Sequence, residues 1–155
     1  MSRDIVVYAK RAEAITSEAL LAALRAADHD VVWTPAFSRQ PHRLMGTLDV
    51  AGTADAANTV SLSGETVAAE DAVELAESLS PVGVLAREGL LATRMQYLLS
   101  VSWDPSPACL HILADVIDEL ARVGDGVIYD AQKSCLVSRS EYRQMLGLPY
   151  QDKPE

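Results

Sequence analysis

The sequence contains few of the residues that mark a secreted, metal-binding or membrane-spanning protein. Its 155 residues include two cysteines, Cys109 and Cys135, which are too few for a disulfide framework and have no partner at metal-ligand spacing. No apolar run approaches the ~18 residues of a transmembrane helix. The first residues lack the basic start and apolar stretch of a signal peptide. We therefore expect reduced, buried thiols, a cytoplasmic location and no membrane partner.

Motifs that would name a chemistry are also absent. The eight glycines never fall into the GxGxxG or GxxxxGK spacing of phosphate-binding loops, and no GxSxG nucleophile elbow occurs. The three histidines lie in different predicted elements and form no i, i+4 pair. We therefore expect no catalytic residues, no metal and no cofactor. An enzyme would need a site assembled from dispersed residues: Arg39, His42, Arg43 and Asp104.

Basic residues are outnumbered, because Lys and Arg total 13 against 22 Asp and Glu, and the net charge is −9. The excess is uneven. Residues 49–93 hold eight acids and one base, and residues 103–131 hold six acids and one base. Such a field repels nucleic acid and anionic membranes and attracts a basic protein. The alternative explanation is solubility alone, which a net charge of either sign favours.

Aromatic residues make up only 5% of the chain, yet four of them stand in a repeated pattern. A strand ending near Tyr8, a leucine-containing helix and a strand with Trp33 return as a strand ending near Trp103, a helix and a strand with Tyr129. Two β-α-β units predict an α+β fold: a two-layer, ferredoxin-like α/β sandwich. The segment between the units adds a hairpin and a helix. We predict one domain over residues 1–149 and a polar tail over 150–155.

Hydrophobic periodicity and capping residues predict the individual elements. Strand 95–103 is almost wholly apolar, so we place it at the centre of the sheet. Gly124 is expected to take the left-handed conformation that ends a helix. The predicted strands are 4–9, 31–34, 45–50, 58–63, 95–103, 126–129 and 134–137. The predicted helices are 16–28, 65–79, 106–124 and 138–147, and residues 82–85 are expected to be a short strand or an extended linker.

Two acidic helical stripes are the candidate partner-binding residues: Glu70, Glu74 and Glu77 on one helix, and Asp115, Asp118 and Glu119 on the other. Like charges at i, i+4 spacing destabilise an isolated helix slightly. A persistent stripe of this kind is explained by a basic partner, or by salt and arginine side chains that screen it. The second stripe also fits an ordinary solvated helix face.

The four aromatic residues of the repeat form a second candidate site: Tyr8, Trp33, Trp103 and Tyr129. They stand near strand ends in equivalent places. One interpretation is core packing at the rim of the sheet. The other is a shared aromatic floor that stacks on a flat ligand or on a partner side chain.

Residues 120–132 read Leu-Ala-Arg-Val-Gly-Asp-Gly-Val-Ile-Tyr-Asp-Ala-Gln. This segment resembles one in small bacterial proteins of the polymorphic-toxin immunity type, where a helix ends in Gly-Gly, a strand follows and a Tyr-Asp-Pro-Gln turn closes it. Here Asp125 replaces one glycine and Ala131 replaces the proline, and the match covers about a tenth of the chain. The resemblance implies a cytoplasmic, non-enzymatic protein that blocks one cognate toxin. It brings no site residues with it.

Two functions of different classes follow. The first is a protein-binding inhibitor whose acidic helix faces occlude a basic toxin or another basic protein. The alternative is a small-molecule-sensing regulatory domain that acts as a homodimer, with a pocket near the four aromatic residues. An enzyme is the third and least supported class.

Overall fold

The computed structural model describes residues 2–36, 44–53, 55–79 and 83–148, and the tail predicted over 150–155 lies outside them. Seven strands and five α-helices are described in this part of the chain. They are β1 (Ser2–Ala9), α1 (Ser17–Ala26), β2 (Val31–Pro35), β3 (Met45–Val50), β4 (Thr59–Thr66), α2 (Ala69–Ser78), α3 (Val84–Leu91), β5 (Met95–Ser102), α4 (Pro107–Gly124), β6 (Gly126–Asp130), β7 (Cys135–Val137) and α5 (Arg139–Met145).

All seven described strands belong to one sheet of order β2-β3-β4-β5-β1-β6-β7, and each neighbouring pair is antiparallel. β5 is the fourth strand, so its predicted central position is confirmed. Because directions alternate, β1 and β2 run parallel across three intervening strands, and β5 and β6 run parallel across β1. The predicted α+β class and the β3–β4 hairpin are confirmed.

Alternation along the strands separates the two faces of the sheet. Ile5 and Val7 of β1 belong to the main core, together with Leu20 of α1, Leu113 of α4 and Tyr142 of α5. Val6 and Tyr8 point the other way and pack with residues of α2 and α3. Consecutive strand residues point to opposite sides, so α1, α4 and α5 cover the first face while α2 and α3 lie on the second.

Helix α4 is the central element of the main core. Its predicted start is confirmed, because the Ser106 hydroxyl accepts a hydrogen bond from the Cys109 N–H at 3.2 Å and Pro107 is the first helical residue. Proline suits this position, since its missing N–H would have no partner within the helix. The buried residues of α4 lie along one side of the helix: Cys109, Ile112, Leu113, Ala114, Val116, Ile117, Leu120, Ala121 and Gly124.

Three local predictions were wrong, and tertiary contacts explain them. Glu65 and Thr66 end strand β4, where they pair with β5, so the following helix begins only at Ala69. The strand or linker predicted at residues 82–85 is wrong for the residues that the structure describes, because Val84 begins helix α3. Only Gly89 and Leu90 of α3 are buried, too few to give a helical period in the sequence.

The third correction concerns the end of α4. Gly124 is the last helical residue, and Asp125, with φ of 51°, takes the left-handed conformation predicted for the glycine. A Cβ on residue 124 would lie 2.6 Å from the Cβ of Ala9. Glycine is therefore required here by the close approach of α4 to β1, and an aspartate can take the strained φ in its place.

Candidate functional site

The two aspartates of the α4 stripe contact arginine and histidine side chains of the same chain. The Arg143 Nε donates to Asp118 Oδ2 at 2.7 Å, and the guanidinium also hydrogen-bonds Asp115. The His29 Nε2 lies 2.5 Å from Asp115 Oδ2, and the Arg139 Nε lies 3.9 Å from Asp118 Oδ1. The Arg143 side chain is only 11% exposed. These contacts tie α5 and the turn after α1 to the middle of α4.

The third acid of this stripe, Glu119, forms an ion pair with Arg122 at 2.6 Å. Burial by itself lowers the pKa of the Arg143 guanidinium, but the hydrogen bonds and charges of Asp118 and Asp115 outweigh burial and raise that pKa. Arg143 is therefore a permanent cation. A partner's lysine would have to compete with these internal cations, so this stripe supports partner binding less than the other one does.

The four repeat aromatics do not share one surface. Tyr8 and Tyr129 lie on the second face with ring centroids 6.4 Å apart. Burial, and secondarily the charge of Tyr129, raises the pKa of the Tyr8 hydroxyl, so this phenol stays neutral. Trp33 packs on the main core from the first face, in edge strand β2. Trp103 follows β5, is 52% exposed, and has the Arg3 guanidinium 5.8 Å from its ring centroid. Core packing, the first interpretation, describes Tyr8 and Trp33.

The α2 stripe faces solvent. Glu70, Glu74 and Glu77 are exposed, while Ala72 and Ala76 on the opposite side of the helix are fully buried. Within the described ranges, no cationic side chain forms an ion pair with these three glutamates. The stripe therefore keeps its negative charge available to a partner, in contrast to the acids of α4.

Beside α2, no described helix covers the second face of the sheet over β2, β3, β4 and β5. We call this surface the open face; its central side chains are Val32, Thr34, Met45, Thr47, Ser61, Ser63, Leu98 and Ser100. Val32 is 52% exposed and Leu98 is 44% exposed, although both lie within strands. The other side chains are mostly hydroxyls. The helices of the second face pack instead on β1 and β6.

The open face is concave. A groove of about 380 Å³ runs over β2 to β5, with Thr47, Ser61 and Leu98 among its lining residues. A second depression of about 490 Å³ shares Ser61 and Ser100 with it. A third, of about 430 Å³, lies between the strands and α2 and is lined by Asp71 and Glu74. The acidic side of α2 thus forms a wall of the concave surface.

The sequence also contains a signal for the open face, apart from any catalytic or ligand-binding motif. Hydroxyl residues recur at every second position: Thr59, Ser61 and Ser63 in β4, and Ser100 and Ser102 in β5. Period-two spacing puts them on one face of the sheet. An antiparallel sheet with a polar side ordinarily turns that side to solvent, so the pattern predicts an uncovered face.

The remaining candidates give no site. Arg39, His42 and Arg43 lie outside the described residues, and Asp104 is exposed in the turn after β5. In the described ranges, no group of three or more His, Cys, Asp or Glu side chains could hold a metal ion. No helix in this part of the chain is long and apolar enough to cross a membrane.

In the turn that carries the family resemblance, the buried Asp130 accepts hydrogen bonds from the N–H groups of Gln132 and Lys133, which is a structural role.

The two cysteines differ in accessibility, and thiol labelling will show it. Cys109 is fully buried and Cys135 is partly exposed. Burial, and secondarily the charge of Asp49, raises the pKa of the Cys109 thiol to about 11. At pH 8 we expect iodoacetamide to modify the folded protein at Cys135 alone, since the thiolate is the reactive form. A Cys135→Ser variant should stay unmodified until urea unfolds it; rapid labelling of that folded variant would contradict the buried position.

The chain has no counterpart in the comparisons with known proteins: no family model, no curated protein and no solved structure matches it. No similar protein therefore indicates a function for this chain. The site that combines available charge with an uncovered concave surface is the α2 stripe together with the open face.

Proposed function

We propose that the protein is a non-enzymatic inhibitor of the immunity type. It binds a cognate toxin, which is a basic protein, and neutralises that toxin. The observation that carries the proposal is the exposed α2 stripe of Glu70, Glu74 and Glu77, without internal cations in the described chain, beside a face of the sheet that no described helix covers. Acidic surfaces steer a basic partner into contact, and contacts on the neighbouring open face slow its release.

Two finer statements belong to this proposal. The first is a ferredoxin-like relation of the two β-α-β units. It is supported by the strand order β6-β1-β5-β2, which is obtained when the inserted β3–β4 hairpin is left out. The second is a cytoplasmic location, supported by the two cysteines that remain unpaired, because disulfides are rare in reducing compartments.

Reversing the charge of the α2 stripe should weaken partner binding. In Glu70→Lys/Glu74→Lys/Glu77→Lys, we expect affinity for the basic partner to fall at least about tenfold, the equivalent of about 1.4 kcal/mol. The measurement is capture from lysate of the source organism at low and moderate salt, read by mass spectrometry. Wild-type protein should retain a stoichiometric basic protein that is lost as salt rises.

The matched control reverses three exposed acids on the other layer: Glu13→Lys/Glu18→Lys/Asp30→Lys. It changes the net charge by the same amount but leaves α2 intact. We expect its affinity for the partner to stay close to that of the wild type. The only loss should be the small one that follows from the less negative net charge, which both variants share. If both variants capture the partner equally well, or if no basic protein is retained at low salt, the inhibitor function is wrong.

One observation favours the alternative of a small-molecule-sensing homodimer. The groove of about 380 Å³ on the open face lies within the ~300–1,000 Å³ range of ligand sites. None of the four repeat aromatics lines this groove, which lessens the support for the aromatic pocket expected from the sequence. A dimer on sizing chromatography together with a tryptophan fluorescence change on adding a metabolite would favour this function.

A further inference from the structure

We infer that the open face is a docking groove for one amphipathic, basic helix of the partner protein. This inference rests on the proposed function and adds where on the chain the partner lies and which element it presents. Four observations carry it: the width of the uncovered face, the sheet hydrogen bonds already made, the sign of the charges around it and the placement of its apolar side chains.

The width of the uncovered face suits a single helix. Four adjacent strands, β2 to β5, are uncovered, and strands spaced about 4.8 Å apart span about 14 Å. A helix with its side chains is about 10–12 Å across. The same side of the sheet already holds α2 and α3 over β1 and β6, so a helix from a partner would lie beside them in one layer.

The hydrogen bonding of the sheet favours a helix over an extended segment. The central strands β4 and β5 are paired on both sides, so their backbone groups are used. A strand laid over the face would find no backbone partners and would leave its own amide groups unpaired, which costs free energy. A helix satisfies its backbone internally and needs only side-chain contacts.

The described charges around the groove are of one sign. The strand residues of the second face include Asp4 and Asp49, and Asp71 and Glu74 stand on the α2 wall. Asp4 and Asp49 accept hydrogen bonds from Ser100 at 2.7 Å and Thr59 at 2.5 Å, which hold them in place as acceptors. Among the described strand residues, this face has no lysine or arginine. The charge complementarity therefore specifies lysines or arginines on the occupant.

The apolar side chains lie within this acidic and hydroxyl-rich surface. Val32 and Leu98 are about half exposed, and Met45 lines the same groove. An occupant with a narrow apolar stripe would cover these side chains, and its cations would reach the acids at the margins. Uncharged contacts at the centre and ion pairs at the rim are the usual organisation of a specific interface.

The test uses the full chain and a synthetic helix with a leucine stripe on one side and lysines elsewhere. Amide chemical shifts are recorded during titration. We expect changes at Thr47, Ser61, Ser63 and Leu98, with little change on α1 and α4. A scrambled peptide of the same composition should bind at least about tenfold more weakly, because its leucines no longer share one side.

A groove-filling variant tests the same surface without changing charge. Ser61→Tyr places a ring in the middle of the groove and suits a strand position, since tyrosine favours strands. We expect it to reduce peptide affinity at least about tenfold, whereas Ala22→Tyr on the exposed side of α1 should not change it. Shifts confined to other surfaces, peptide binding by Ser61→Tyr as strong as by wild type, or concentration-dependent shifts without peptide would each overturn the inference.

The captured partner separates this inference from the proposed function. A partner that binds Ser61→Tyr as well as wild type, but fails to bind the α2 triple variant, would overturn the docking groove and leave the inhibitor function standing. Absence of any basic partner at low salt would overturn the inhibitor function, whatever the synthetic helix does.

Discussion

Reversing the two aspartates of α4, in Asp115→Lys/Asp118→Lys, is expected to lower the free energy of unfolding by about 4 kcal/mol. The substitution places lysines against Arg143 and His29, which now contact those carboxylates. The side chain of Arg143 is 11% exposed, so solvent cannot screen the new repulsion well. Urea unfolding is followed by circular dichroism and fitted with one m-value for both proteins, which gives the difference in the free energy of unfolding.

The comparison variant is the α2 triple reversal, Glu70→Lys/Glu74→Lys/Glu77→Lys. Its three side chains are exposed and have no ion pair in the described chain, so we expect its free energy of unfolding to change by less than about 1 kcal/mol. Adding Arg143→Glu to the α4 double variant should restore part of the lost stability by re-forming ion pairs of opposite polarity. Equal urea midpoints for wild type and the α4 double variant would show that these ion pairs contribute nothing to the fold.

Reversal of Asp115, Asp118 and Glu119 lowers stability, so a loss of partner binding in that variant would not distinguish a lost contact from a smaller folded fraction. The α2 stripe can be reversed with little effect on stability, because its acids take no part in the internal ion pairs of the described residues. Partner-binding experiments on the α4 acids therefore need the folded fraction to be measured beside the affinity.

The second large effect is expected from one methyl group. Gly126→Ala should lower the free energy of unfolding by about 2–3 kcal/mol, since overpacking against fixed neighbours costs this much. A Cβ at residue 126 would lie 2.6 Å from the carbonyl oxygen of Tyr8 and 3.1 Å from the Cα of Ala9. Both are backbone atoms of the neighbouring strand β1, so the clash is relieved only by moving β6 away from β1.

The same substitution at Gly89 should have the opposite sign. Gly89 lies within helix α3, and its added Cβ would meet only a methyl of Val127, at an ordinary 3.8 Å. Replacing a helical glycine with alanine stabilises by about 0.5–1 kcal/mol, because the unfolded chain loses freedom. Thermal and urea unfolding of the two variants compare the positions directly. Unchanged stability in Gly126→Ala would contradict the close approach of β6 to β1, and a loss of stability in Gly89→Ala would contradict the space beside α3.

Local chemistry was sufficient to predict most elements of this fold. The Ser106-Pro107 helix start depends on backbone groups within one turn, and the structure confirms it. The same holds for Ser138, whose hydroxyl accepts from the Glu141 N–H at 3.1 Å at the start of α5. The predictions that failed depended on distant neighbours. Glu65 ends a strand because β5 pairs with it, and Gly124 is helical because Ala9 leaves no room for a side chain.

The candidate site also combines features that follow from local sequence with features that depend on distant contacts. The sequence alone determined that the acids lie in two helical stripes and that strands and helices build an α+β fold, because periodicity and capping act over a few residues. Only the tertiary structure decided which stripe keeps its charge, since Arg143 and His29 reach Asp115 from outside α4. It also decided that no described helix lies on the second face over β2 to β5, because the placement of α2 and α3 depends on packing between residues far apart in the chain. The period-two hydroxyls indicate a face turned to solvent, but the strands that α2 and α3 leave uncovered depend on these distant contacts. The availability of a charge depends on distant contacts as well, and no local pattern encodes it.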